Sequence, residues 1–172
     1  MRARAFSPTA RSVRRWSSIR RRIAGTTRAG AASRCRDRFP ILDETRWRDV
    51  LDVVRERLLT PCGLLTLDPA HREYHPRYEG DLRTRDAAYH QGLVWTWLIG
   101  HFVDAWLLVY GDRATARGFL AAIGDHLSDA GMGTISEIFD AEAPHVARGC
   151  IAQAWSVAEV LRAILGTEGP TE

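Results

Sequence analysis

The chain contains no lysine: its 24 basic residues are all arginine, and twelve of them fall in residues 1–40 beside one acid, Asp37. Without that segment, twelve arginines face twenty acids in residues 41–172, a net charge of about −8, so the basic balance belongs to the leader. Cysteine is scarce, with Cys35, Cys62 and Cys150 at spacings that fit neither a disulfide framework nor a zinc site. This excludes a stapled secreted scaffold and points to a reducing, cytoplasmic setting. A secretory signal is also missing, because no apolar run near the start ends in a small-residue cleavage site.

The leader, residues 1–38, is rich in Arg, Ser and Ala. Its composition resembles a mitochondrial transit peptide, and an arginine-rich nucleic-acid arm is the other functional reading. Gly25, Gly30 and Pro8 break any apolar periodicity, and arginine without lysine is what GC-rich DNA yields when translated out of frame. The expectation is a disordered or artefactual leader and no nucleic-acid partner.

Helical periodicity begins near Phe39, which opens a domain over residues 39–166 with a polar tail at 167–172. Asp43 can cap a helix in which Trp47, Leu51, Val54 and Leu58 recur at i, i+4, i+7, i+11. Pro61 and Gly63 stop it, residues 64–67 suit a short strand, and residues 68–83 read as a long irregular loop. Residues 91–110 are apolar on nearly every side. They are close to membrane-span length, yet His101 and Asp104 lie inside, and one central Asp costs about 2.5–3.5 kcal/mol on insertion. A buried helix is the better reading, with no membrane partner. Residues 113–129 predict an amphipathic helix, 134–149 a loop, and 151–165 a last helix with Trp155, Ala158 and Leu161 on one side. The fold expected is all-α: about four helices, alternately amphipathic and buried, as in part of an α/α toroid.

Acids in loops beside aromatics and a glutamine are what a sugar pocket needs. Aromatic faces pack on the apolar face of a pyranose, while carboxylates and amides bond its hydroxyls. Glu137, between a Gly-rich helix end and a buried helix, is the candidate catalytic carboxylate. Tyr89, Gln91, Trp95 and Trp97 open the buried run. If that run were helical throughout, the two tryptophans would point about 200° apart. Tyr78, Glu79 and Asp81 form a loop able to add sugar contacts. His71, His75 and His90 make a poor metal site because Pro76 disrupts the spacing, and neither metal nor cofactor is expected.

Three ordered segments carry a resemblance. They are Leu59-Thr-Pro-Cys-Gly-Leu-Leu-Thr-Leu67, Arg77-Tyr-Glu-Gly-Asp through His90-Gln-Gly-Leu-Val-Trp-Thr-Trp97, and Ser136-Glu-Ile-Phe-Asp140 with Arg148-Gly-Cys-Ile-Ala-Gln-Ala-Trp-Ser156. Together they resemble the C-terminal region of bacterial glycogen debranching enzymes, the amylo-α-1,6-glucosidase domain, over residues 39–165. The resemblance implies a partial (α/α)6 toroid of the six-hairpin glycosidase type that hydrolyses the α-1,6-glucosidic branch stubs of glycogen or another branched α-glucan. It implies that Glu137 is the general base of an inverting hydrolysis, with Gln153 near the cleft and Trp155 packed below. It also implies a general acid on an aspartate in a segment that precedes this chain, so the chain reads as a fragment that self-associates or depends on an upstream-encoded part of the barrel. Cys62 stands where the family usually has tyrosine, Leu65 where it has arginine, Thr96 where it has proline and Ala141 where it has glycine. A non-catalytic carbohydrate-binding remnant and an α/α-barrel hydrolase of the trehalase or glucoamylase type are the alternative readings.

Overall fold

The computed structural model describes residues 42–130 and 132–168. The leader expected at residues 1–38 lies outside them; of the polar tail expected at 167–172, Thr167 and Glu168 belong to the last helix, with Thr167 buried, and 169–172 lie outside.

Asp43 opens the first element as the sequence predicts, its carboxylate accepting the Thr45 N–H at 3.0 Å. The cap starts a 3-10 turn, Glu44–Arg46, which runs into α1, Trp47–Arg57. After α1 come β1, Leu59–Thr60, and β2, Gly63–Leu65; then α2, Leu82–Ala88, and β3, Val94–Trp95. Next are α3, Leu98–Tyr110; α4, Arg113–Gly118; and α5, Ala121–His126. The chain closes with β4, Ile138–Phe139; β5, Ala147–Arg148; and α6, Ala154–Glu168.

The all-α expectation is corrected by a five-stranded antiparallel sheet in sequential order, β1 to β5. Each strand has only two or three residues, too few to print an alternating pattern on the sequence. The expected helix over 91–110 is likewise two elements. Gly92, at φ +143°, turns the chain into β3, and α3 starts only at Leu98. A buried strand followed by a buried helix gives one unbroken apolar run. The helix expected at 113–129 splits at Phe119–Leu120, where the bonds tighten to i→i−3, from Leu120 N–H to Arg117 O and from Ile123 N–H to Leu120 O. Six helices are thus present among the described residues, not four.

α3 is the spine. Ile99, Phe102, Val103 and Trp106 are buried on it, against Leu51 of α1, Leu120, Ile123 of α5, and Val160 and Ala163 of α6. Each such side chain contributes about 1.5–3 kcal/mol by leaving water. Gly100 lets α6 approach closely, since a Cβ there would run into the Glu159 side chain. Asp104, the charge that argued against a membrane span, pairs with Arg162 of α6 at 2.6 Å. No helix of the described residues is long and apolar enough to cross a membrane.

The last helix turns a different side inward from the one its apolar pattern suggests. Ser156, Val160, Ala163 and Thr167 are its buried residues, whereas Trp155, Leu161 and Leu165 are 48%, 55% and 56% exposed. Small residues lead this contact because they let two helices lie close.

Candidate active site

The sheet gathers the loop ends. Ile138 of β4 sits between Trp95 of β3 and Arg148 of β5, so Glu137, one residue before β4, lies where three chain segments meet. The Glu137 N–H donates to Cys150 O at 2.9 Å, and the Cys150 N–H donates back to Glu137 Oε2 at 3.1 Å. Gln153 Nε2 donates to Glu137 Oε1, also at 3.1 Å. The Tyr89 phenol is hydrogen-bonded to the same carboxylate, and burial, then that bond and the adjacent charge, push its pKa up. Both carboxylate oxygens are therefore oriented by neutral donors. Gly149, at φ +68°, permits this cradle, because a Cβ there would collide with Glu137 Oε2.

Gln153 immediately precedes α6, and its own N–H donates to Ile135 O at 2.9 Å. The helix thus begins against the segment that delivers Glu137.

Around the carboxylate stands an aromatic group. Tyr89 packs on Trp95 at 4.9 Å and on Tyr78 at 5.7 Å. Trp95 is buried, 4% exposed, and its indole N–H donates to Tyr89 O at 3.0 Å. His90 stacks on it at 5.0 Å. Trp95 and Trp97 precede α3 rather than riding on it, so the helical separation does not apply. Both rings reach Trp155, at 6.1 and 5.5 Å. Trp155 is half-exposed beside them instead of packed below.

The outer loop is less uniform. Tyr78 is fixed by its N–H to Asp140 Oδ1 at 2.9 Å. Glu79 is exposed next to the turn at Gly80. Asp81 caps α2 through the Thr84 N–H at 2.8 Å, and those bonds hold its carboxyl below the ordinary range. Gln91 contributes through its backbone, its C=O accepting the His75 N–H at 2.7 Å. Among the described residues, no three His, Cys, Asp or Glu side chains converge as a metal site.

Several residues that build the site carry no signal readable from sequence spacing. Asp140 is buried and takes a two-pronged bond from Arg148, at 3.1 and 2.9 Å, besides the Tyr78 N–H. Arg148 thus pairs with Asp140, leaving Glu137 to neutral partners. Cys150 serves through its backbone, which any residue type provides. The four positions that differ from the resembled family also come together. Leu65 and Ala141 share an apolar cluster with Val94 and Phe139, and Cys62 packs on it. Thr96 is fully buried and donates to Cys62 O at 2.7 Å. Burial pushes the Cys62 thiol up to about 11.

The sequence pattern of the amylo-alpha-1,6-glucosidase family matches residues 34–162. An alignment of 61 positions that covers 32% of this chain is 38% identical to the glycogen debranching enzyme of Saccharomyces cerevisiae. That match spans 4% of the yeast protein's length.

Proposed function

The chain belongs to the amylo-alpha-1,6-glucosidase family, and from that premise we propose that it supplies the base half of a glycoside-hydrolysing site acting on α-1,6-linked glucose stubs of a branched α-glucan. The observation that carries this reading is the Glu137 carboxylate, held by Gln153 Nε2 and the Cys150 N–H beside Tyr89 and Trp95. Three donors occupy three of the carboxylate's four lone-pair sites, so one is left to accept a proton from a water molecule. In the reaction, the water oxygen bonds to the anomeric carbon as its proton passes to Glu137. The glycosidic C–O bond breaks, and its electron pair stays on the leaving oxygen, which takes a proton from a second carboxyl group. We assign that acid to an aspartate in a longer or associated chain, as the family resemblance implies. Residues 39–166 are then part of an (α/α)6 toroid of a cytoplasmic enzyme. Tyr78, Glu79, Asp81, Gln91, Trp97 and Gln153 supply sugar contacts in this scheme, and buried Trp95 backs them.

The test compares wild type and Glu137→Gln with a branched dextrin carrying single α-1,6-linked glucose units. Isothermal titration should show both binding. Glucose release, measured in a chain extended to include the acid, should fall at least about 10³-fold in the variant. Equal turnover would remove Glu137 from the mechanism. Binding without turnover in either extended protein would favour a carbohydrate-binding remnant.

A further inference from the structure

Trp155 is the aromatic whose placement the site has not used. It follows Gln153 by two residues, at the first turn of α6, and Gln153 bonds the Glu137 carboxylate. Its ring lies 5.5 Å from Trp97 with the planes 33° apart, and 6.1 Å from Trp95 at 63°. Trp95 in turn packs on Tyr89, the phenol that reaches Glu137. Trp155 is therefore joined to the carboxylate by two routes, through Gln153 and through Trp95 and Tyr89. Of these rings, Trp95 is buried at 4% exposure, whereas Trp155 is open to 48%.

We infer that Trp155 is the stacking platform of the site, receiving the apolar C–H face of the glucosyl ring whose anomeric carbon is presented to Glu137. This rests on the sugar-site reading above and adds the residue that reads ring shape. A tryptophan held by one tilted and one edge-on indole contact while half its surface meets water offers a rigid apolar surface that loses little entropy on contact. Gln153, two residues before Trp155, and the Glu137 carboxylate it bonds would supply the amide and carboxylate for hydroxyls at the pyranose edge. A flat surface flanked by such groups selects a ring with one C–H face and equatorial hydroxyls at its rim.

Trp155 also heads the exposed apolar side of α6 that continues to Leu161 and Leu165. A surface for polypeptide would use that whole side, and a sugar platform would use only its end beside Glu137. The experiment separates the two. The chain is titrated calorimetrically with the branched dextrin, alongside Trp155→Ala, Trp155→Phe and Leu161→Ser, with thermal melts as fold controls. The expected result is an affinity loss of more than about tenfold in Trp155→Ala, a smaller loss in Trp155→Phe, which retains an aromatic face, and no change in Leu161→Ser. Wild-type affinity in a folded Trp155→Ala would overturn the platform and leave the sugar site standing. Equal weakening in Trp155→Ala and Leu161→Ser would overturn it as a surface for packing. No binding by the wild type would remove both the platform and the sugar reading beneath it.

Discussion

Gly149 leaves open the space into which the Glu137 carboxylate fits: a Cβ at 149 would meet Oε2, and the backbone there is left-handed at φ +68°. The substitution Gly149→Ala therefore combines two costs. Strain at a left-handed non-glycine residue is of order 1–3 kcal/mol, and the carboxylate must also move off the Cys150 N–H. The expected outcome is a stability loss of about 1–3 kcal/mol in urea unfolding, together with weaker dextrin binding. Unchanged stability would mean that the turn at 149 relaxes freely.

Asp140 joins two walls of the site, taking Arg148 on one oxygen and the Tyr78 N–H on the other. Removing one partner of a buried ion pair leaves an uncompensated charge, at about 3–5 kcal/mol. Arg148 is one-third exposed, so the lower end applies to Arg148→Ala. Asp140→Ala also orphans the Tyr78 N–H and should cost at least as much. The double variant should cost less than the sum of the singles, and additivity in chemical unfolding would show that the pair is not coupled.

What could be read from the sequence follows from how each residue acts. Side chains that work as side chains are legible: Asp43 as a cap, Leu51 and Val54 as a core stripe, and Glu137 as an acid in a loop, whereas Gln153 beside it comes from the family resemblance alone. The short strands were not, because two residues cannot show a period, and residues 91–110 fused β3 and α3 into one apolar run. Partners were also hidden. That Arg148 pairs with Asp140 rather than Glu137, and that the Cys150 N–H holds Glu137, depend on the turn geometry of β4 and β5. The inward side of α6 departs from its apolar stripe because Ser156 and Thr167 are buried in place of larger apolar residues, where the helices approach closely.

His126 predicts a pH response. Its Nε2 accepts the Ser136 N–H at 3.2 Å, and burial lowers its pKa, with Asp129 opposing. His101 is also lowered, first by burial and then by Arg162, against Glu159 and Asp104. In the unfolded chain each ring titrates near its ordinary value of about 6.5. Below that value the unfolded state takes up protons that the folded state resists, so stability falls as pH drops from about 6.5 toward the folded-state pKa values. The urea midpoint should therefore decline between about pH 7.5 and 5.5. His126→Gln should flatten part of that decline, and a midpoint that is level or rises would refute the assignment. His126→Ala should cost about 1–3 kcal/mol at neutral pH, because the buried Ser136 N–H loses its acceptor.

The exposed side of α6 predicts association. Beyond the Trp155 end, Ala158, Leu161 and Leu165 fall within about one sixth of the helix circumference. Leu108, on the neighbouring α3, is also exposed. Leu161 and Leu165 are a little over half exposed, so each gains roughly half of the 1.5–3 kcal/mol of full burial, which set against the cost of association gives a weak contact that needs high concentration. At high concentration the wild type should therefore sediment as a concentration-dependent oligomer, and Leu161→Ser with Leu165→Ser should shift it to monomer. Because neither side chain packs in the core, the low-concentration stability of the double variant should stay within about 0.5 kcal/mol of wild type. A wild type that stays monomeric at high concentration would refute the association.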